Sequence, residues 1–423
     1  MMTNNVTRLR TAPWLQTPGI CRVFAALEKT GATSRAVGGA VRNTLLGEPI
    51  DDVDIATTAL PAAVMAAALS AGLAAHPTGL QHGTVTLVAD GQTFEVTTLR
   101  RDVKTDGRHA TVAFTDNWVE DAGRRDFTIN ALYCDADGTL FDPLGGAADL
   151  APTRVRFIGD ARARIREDYL RILRFFRFSA RYAVEGADTD GLAACGAERG
   201  GLARISVERI RVELLKLLVT DRAAEMCRVM QAHGFLAGML GLAPAPGRLQ
   251  RMIAIEAALQ RKPDAILRLA ALVVAPETDA GALARRLRLS GEERRRLVWI
   301  AADLGGLTSP TDARPPDAHT MRRRIYTRGT DAARDTILAA WAASSASSND
   351  ARWQTALNVT ASWPPPMLPV NGQDAIAGGI ASGPAVGGML SAVEAWWIAH
   401  DFAPDRAACL AELARLTAQG LAT

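Results

Sequence analysis

Residues 37–55 read VGGAVRNTLLGEPIDDVDI, and this stretch decides the fold. A β-strand ends at Val37, the Gly38-Gly39 turn opens a helix near Val41, and a second strand carries Val53 and Ile55. In an extended segment residues two apart point to one face, so Asp52 and Asp54 are predicted side by side on a strand with apolar neighbours. Two adjacent anions are unfavourable unless a cation joins them. Oxygen-only ligands suit Mg²⁺, the usual helper of phosphoryl and nucleotidyl transfer. The bare N–H groups at Gly38 and Gly39, before a helix N-terminus, fit a phosphate chain. Paired aspartates also occur on solvated strand edges, and a lone Gly-Gly is weak evidence. The two together, in strand–turn–helix–strand order, carry the argument. The third glycine of a dinucleotide-binding loop is missing, which speaks against an NAD-dependent oxidoreductase.

Working outward, Ser34–Val37, Val53–Thr57, Thr84–Val88, Thr93–Leu99 and Ala131–Cys134 read as strands. Pro61–Gly72 reads as a helix behind a Thr57-Thr58 start signal, Val103–Asp121 as a polar loop, and Phe141–Gly146 as a closing turn. Glu95, a lone acid in the strand Phe94–Leu99, is the candidate third carboxylate of a two-metal site; the alternative is a cross-strand partner for an arginine. The run Arg124-Arg125-Asp126-Phe127-Thr128-Ile129-Asn130 offers guanidinium forks to phosphate and a carboxylate to a ribose hydroxyl.

Beyond about residue 160 the pattern is helical. Ile165, Tyr169, Ile172 and Phe176 form a core stripe, with Arg171, Arg174, Arg177 and Arg181 beside it. Asp168 and Arg171, three apart on a helix, would meet on one face. They form either a simple ion pair or a protein-built base-reading edge. A carboxylate and a guanidinium match the amino donor and ring-nitrogen acceptor that cytosine and adenine share, and reject uracil and guanine. Ser206 is the expected cap of a helix over Glu208–Leu218. Arg322–Arg324 with Tyr326 and Arg328 form a basic patch, Ser344–Asn349 a linker, Trp363–Pro366 a stiff connection, and Gly378–Gly387 a glycine-rich hairpin.

The chain has 423 residues, 48% of them apolar, and a net charge of +3. Room exists for several structural units, and charge alone names no partner. The five cysteines lie far apart without a C-x-x-C pair, against a zinc or disulfide framework and in keeping with a reducing cytoplasm. No membrane-spanning or secretory segment is expected.

With these motifs in hand, the chain resembles the class II tRNA nucleotidyltransferase and bacterial poly(A) polymerase family of polymerase-beta-like nucleotidyltransferases. The matching stretches are GGAVRNTLLGEPIDDVDIAT, FEVTTLRRDVKTDGRHATVAF, RRDFTINALY, FDPLGGAADL, IREDYLRILRFFRFSARY and ISVERIRVELLKLL. The resemblance implies an α+β chain: a mixed-sheet head (1–150), then an all-α neck (151–220), body (221–330) and tail (331–423). It implies metal on Asp52 and Asp54, with nucleotide contacts from Gly38, Gly39, Arg42, Arg125, Asp126, Asn130, Asp168, Arg171, Arg174 and Arg177. It makes residues 100–116 a mobile loop that helps switch between nucleotides. It implies CCA addition to the tRNA 3′ end from CTP and ATP, with poly(A) synthesis or partial CCA addition as alternatives. No protein partner is evident. A non-enzymatic RNA-binding descendant would have lost a metal aspartate, and both are present. Asn43 departs from the family, which usually has aspartate after the arginine.

Overall fold

The computed structural model describes residues 7–106, 109–275, 278–304 and 314–419. It divides into two compact units, Met1–Met239 and Leu240–Thr423.

The first unit begins with helix α1 (Pro18–Glu28), strand β1 (Ser34–Val37), helix α2 (Gly39–Leu46) and strand β2 (Asp54–Thr57). Helix α3 (Pro61–Ser70), β3 (Ala74–Gly79), β4 (Thr84–Ala89) and β5 (Gln92–Thr98) follow, and β8 (Tyr133–Cys134) and β9 (Leu140–Phe141) complete a seven-stranded mixed sheet. Its order is β3-β4-β5-β2-β1-β8-β9. The β2–β5 pair is parallel and places Asp54 directly opposite Glu95, while the other pairs are antiparallel. Alternation along the strands sends Ile55, Val85, Leu87 and Val96 into a core with Ile20, Val23 and Leu27 of α1 and Val64 and Ala68 of α3. Asp54 and Glu95 leave the sheet on the other face.

The segment expected to be a loop, Val103–Asp121, is instead a two-stranded hairpin, β6 (Arg100–Asp106) with β7 (His109–Phe114), followed by helix α4 (Trp118–Gly123). Asn117 caps α4 by accepting from the Val119 and Glu120 N–H groups. The hairpin tip, Gly107 and Arg108, falls outside the described residues. The expected strand Ala131–Cys134 shortens to β8, because Thr128–Asn130 form a 3-10 turn.

From residue 160 to the end of the first unit only helices appear: α5 (Ala161–Glu167), α6 (Leu170–Tyr182), α7 (Thr189–Ala197), α8 (Val207–Leu218) and α9 (Ala223–Ala232). The stripe Ile165–Phe176 does not run along one helix. The chain leaves helical geometry at Asp168 (φ −152°, ψ 104°) between α5 and α6. Tyr169 packs there against Gly201, where an added Cβ would stand 1.9 Å from Tyr169 Cδ1. Two expected caps differ. Ser206 sits before α8 without a side-chain capping bond, and α3 starts at Pro61 behind Leu60 rather than at the threonines.

The second unit consists of helices and their connections, with no strand among its described residues. Trp341 and Trp353 stack at 5.9 Å, and Arg268 and Glu256 form a fully buried ion pair at 2.6 Å. The expected glycine hairpin at 378–387 is the connection from helix Gly372–Ala377 into helix Pro384–Ala399. Two arginines of the expected basic patch are ion-paired, Arg322 with Asp401 and Arg324 with Asp303, and Tyr326 donates to Glu394.

Candidate active site

Gly38 has φ +72°, ψ −113°, a conformation open to glycine and strained for other residues. It lets the chain turn from β1 into α2, but the pair of bare amides expected from the sequence reduces to one: the Gly38 N–H donates to the Leu132 carbonyl at 2.9 Å, and Gly39 stands half-buried at the first helical position. A cleft of about 570 Å³ opens over this turn and is bounded on its far side by α6. Among the residues singled out in the sequence, Gly38, Gly39, Arg42, Asp54, Arg125, Asp126, Asn130, Asp168, Arg171, Arg174 and Arg177 all line it. Arg100, Arg124 and Arg209 add to the wall. Eight arginines thus face three aspartates, and the wall suits a polyanion.

Asp52 and Glu95 stand beside the cleft rather than in its lining. Asp52 is not on a strand as expected, because β2 begins only at Asp54. It still acts on Asp54 through space. Asp54 keeps its side chain open to solvent, yet the surrounding protein removes part of its hydration. Burial first, then the neighbouring Glu95, raise its pKa; Arg125 opposes this, and Asp52 adds to the rise. Glu95 makes no ion pair among the described residues, so the cross-strand arginine alternative fails. No three acidic, histidine or cysteine side chains among the described residues converge into a preformed metal cage. What exists is an edge of carboxylate oxygens in mutual repulsion, the donor chemistry of a hard divalent cation.

The opposite wall is closed by hydrogen bonds. Asp126 accepts from the Phe127 N–H and Asn130 Nδ2 on one oxygen (both 2.9 Å) and from Arg174 at 2.6 Å on the other. Burial works against its ionisation, but Arg174, Asn130 and the Phe127 amide win and hold it below the usual carboxylate range. Glu213 of α8 receives Arg177 at 2.6 Å. Asp168 and Arg171 do not pair with each other. The helix break points Asp168 Oδ1 at the Leu170 N–H and Oδ2 at Arg209, 2.6 Å away. Arg171 donates to Glu167 and to the carbonyls of Arg164 and Arg124. Three of these contacts use two guanidinium nitrogens, and a guanidinium carries five N–H donors. Both groups retain capacity for a ligand.

One residue missed by sequence reading organises the Arg-Arg-Asp run. Asp121 is 1% exposed and accepts from Arg124 (2.8 Å), Arg125 (3.1 Å) and Tyr133 Oη (2.9 Å). Burial raises its pKa, but Arg125 and Arg124 outweigh burial and the net shift is downward. Its spacing of three and four from the two arginines was a readable helical signal, hidden because the segment resembles a loop. Arg209, Glu213 and Tyr182 were also missed, since their partners are remote in sequence.

A mixed sheet with this Gly-Gly turn and acidic edge defines a nucleotidyltransferase head. Residues 34–156 match the family model described as the Poly A polymerase head domain, and residues 188–245 match the probable RNA and SrmB-binding site of polymerase A. The chain is 37% identical over 387 residues to the Mus musculus "CCA tRNA nucleotidyltransferase 1, mitochondrial", covering 90% of this chain and 87% of that protein. It is 41% identical over 244 residues to the CCA-adding enzyme of Geobacillus thermodenitrificans, covering 57% of this chain and 58% of that protein. The Bacillus stearothermophilus CCA-adding enzyme, solved in complex with CTP, superposes with a TM-score of 0.76 at 30% identity over 94% of this chain and 97% of that one. The chain belongs to the CCA tRNA nucleotidyltransferase family.

Proposed function

We propose that this protein adds C, C and A to the 3′ end of tRNA from CTP and ATP, releasing pyrophosphate, and that the arginine-walled cleft is where it does so. The observation that carries the reading is one contrast: an acidic edge, Asp54 in the cleft with Glu95 in register beside it, faces a wall of guanidinium groups. Asp52 and Asp54, with Glu95 beside them, would hold divalent metal, and Mg²⁺ is the ion their oxygens suit. Such a metal, when bound, neutralises triphosphate charge and lowers the pKa of the attacking hydroxyl. Gly39, at the first position of α2, offers its amide to the phosphates, Gly38 supplies the positive-φ turn that aims it, and Arg42 lies beneath them. Arg125 serves the phosphates, and Asp126 and Asn130 bound the ribose end. Arg174 and Arg177 hold that wall in place. Asp168 and Arg171 read the base edge that cytosine and adenine share.

In this reading residues 1–150 carry the chemistry, 151–220 choose the base, 221–330 form a helical body and 331–423 engage tRNA. The proposed compartment is the cytoplasm. The five free cysteines suit a reducing setting, and no helix among the described residues is long and apolar enough to cross a membrane.

The test is to sequence 3′ ends of tRNA lacking CCA after incubation with the protein, CTP, ATP and Mg²⁺. Ends completed to CCA are expected. An open-ended run of A, or a product stopped at CC, would reject the reading in favour of poly(A) synthesis or partial addition.

A further inference from the structure

Arg42 is 6% exposed, and a buried guanidinium normally has a carboxylate against it. Here every acceptor it meets is a neutral oxygen. Nε and Nη2 donate to Asn43 Oδ1 at 3.1 and 2.9 Å, Nη2 also donates to Tyr182 Oη at 2.8 Å, and Nη1 donates to Asn130 Oδ1. Tyr182 Oη in turn donates to Asn43 Oδ1 at 3.0 Å. The cation lies over the Tyr182 ring at 4.4 Å and the Phe178 ring at 5.3 Å. Rings and neutral dipoles orient a cation without cancelling its charge. An arginine cannot shed its proton to relieve the cost. Asp126 favours the charge only from a distance, through the Asn130 side chain that bridges the two, and its own oxygens already receive Arg174, Asn130 and the Phe127 amide. The molecule therefore keeps a fixed, oriented positive charge without a carboxylate in contact, under the Gly38-Gly39 turn at the floor of the cleft.

We infer that Asn43 and Tyr182 are positioning residues that hold Arg42, free of any contacting carboxylate, as a cation for the triphosphate of the incoming nucleotide, and that the neutrality of Asn43 sets the strength of that pull. This inference rests on reading the cleft as the nucleotide site. Asn43 touches no substrate; it acts through Arg42. Tyr182, from the last turn of α6, supplies the seat from the helical side, so the charge is aimed only when α2 and α6 are docked. Asn43 also donates Nδ2 to the Pro49 carbonyl at 2.6 Å, which ties the same side chain to the segment leading to Asp52.

The test compares the full-length protein with its Asn43→Asp and Tyr182→Phe variants. Steady-state addition to tRNA is measured with CTP and with ATP, and inorganic triphosphate is titrated as a competitor. In Asn43→Asp the introduced carboxylate neutralises Arg42. KM for both nucleotides and the triphosphate inhibition constant should rise together by about tenfold, the scale of one lost charge-assisted contact, while the lost Nδ2 bond to Pro49 is read separately in kcat. Tyr182→Phe keeps the charge and loses part of its seat, so it should show a smaller rise in the same three quantities. Damage to folding alone would lower apparent kcat through the active fraction and leave KM and triphosphate inhibition in place. That outcome, or equal triphosphate inhibition of wild type and Asn43→Asp, overturns the inference. If triphosphate fails to compete even with the active wild-type protein, the nucleotide-site reading falls first and the inference with it.

Discussion

The two sides of the cleft are built on opposite electrostatic terms. On the sheet side Asp54 and Glu95 sit in register on parallel strands, repel each other, and receive no ion pair in the case of Glu95. On the helical side each carboxylate already has an arginine: Asp126 has Arg174, Glu213 has Arg177, Asp168 has Arg209. A repelling set of oxygens gains from any cation that arrives. A closed network of ion pairs gains little from a new charge but fixes where its remaining donors and acceptors point. Asp54 and Glu95 wait for a ligand, whereas Asp126, Glu213 and their arginines hold the site in shape and Asp168 keeps an oriented acceptor.

The sharpest way to break this comparison is to remove the waiting charge. Asp54→Ala should reduce nucleotide addition on the order of 10³-fold, as loss of a preorganised charge-stabilising group does. Binding of tRNA should stay close to wild type in a filter-binding assay, because nucleic-acid affinity comes mainly from cationic contacts to phosphates and a carboxylate supplies none. Equal loss of both would dissolve the division. Next comes Asp121, the scaffold counterpart. Asp121→Ala strands Arg124, Arg125 and Tyr133, and removing one partner of a buried pair costs about 3–5 kcal/mol. Urea denaturation should show it; an unchanged midpoint would mean the network is not closed as described.

Smaller, and selective, is the effect at Asp168. Asp168→Ala should lower the preference for CTP and ATP over UTP and GTP by roughly tenfold to a hundredfold, since one buried polar mismatch is worth about 1–3 kcal/mol. Arg209→Ala, which only frees Asp168 to turn, should relax the preference less. Competition among the four nucleotides measures both, and undiminished selectivity in Asp168→Ala would remove the base-reading role.

Much of this was legible in the sequence because the signals were local. The Gly-Gly turn, Asp54 and the Arg-Arg-Asp run lie within short windows whose strand and helix periods are clear. What could not be read depended on remote partners. Nothing in Phe94–Leu99 says that Glu95 will stand opposite Asp54, since that register is set across the sheet. Asp168 and Arg171 have ideal spacing for a helical pair, but Arg209 on α8 and the fit of Tyr169 over Gly201 pull the chain out of the helix there. The hairpin β6–β7 hid behind its polarity, although an Asp-Gly step between alternating residues is itself a hairpin signal.

The finest comparison sets Asp54 against Asp121 as pH changes. Asp54 has a folded pKa above its unfolded 3.8, so the folded state takes up its proton more readily and ionisation opposes folding. That opposition is complete above the folded pKa and gone below 3.8. Asp54→Asn should therefore raise Tm at pH 7 without divalent metal, by an amount that shrinks as pH falls through the raised pKa. Asp121 has the reverse sign: its folded pKa is lowered, so its stabilisation is present above 3.8 and lost as pH falls through the folded value. Asp121→Asn should lower Tm at pH 7, with the deficit closing only in stronger acid. Adding Mg²⁺ distinguishes the two sites again. A cation bound only to the folded state stabilises it by mass action, so wild type should gain Tm with Mg²⁺, Asp121→Asn should gain comparably, and Asp54→Asn should gain little. If Asp54→Asn were no more stable than wild type in metal-free buffer at pH 7, the carboxylates on the sheet side would not be in unrelieved repulsion, and the contrast between the two walls would lose its physical basis.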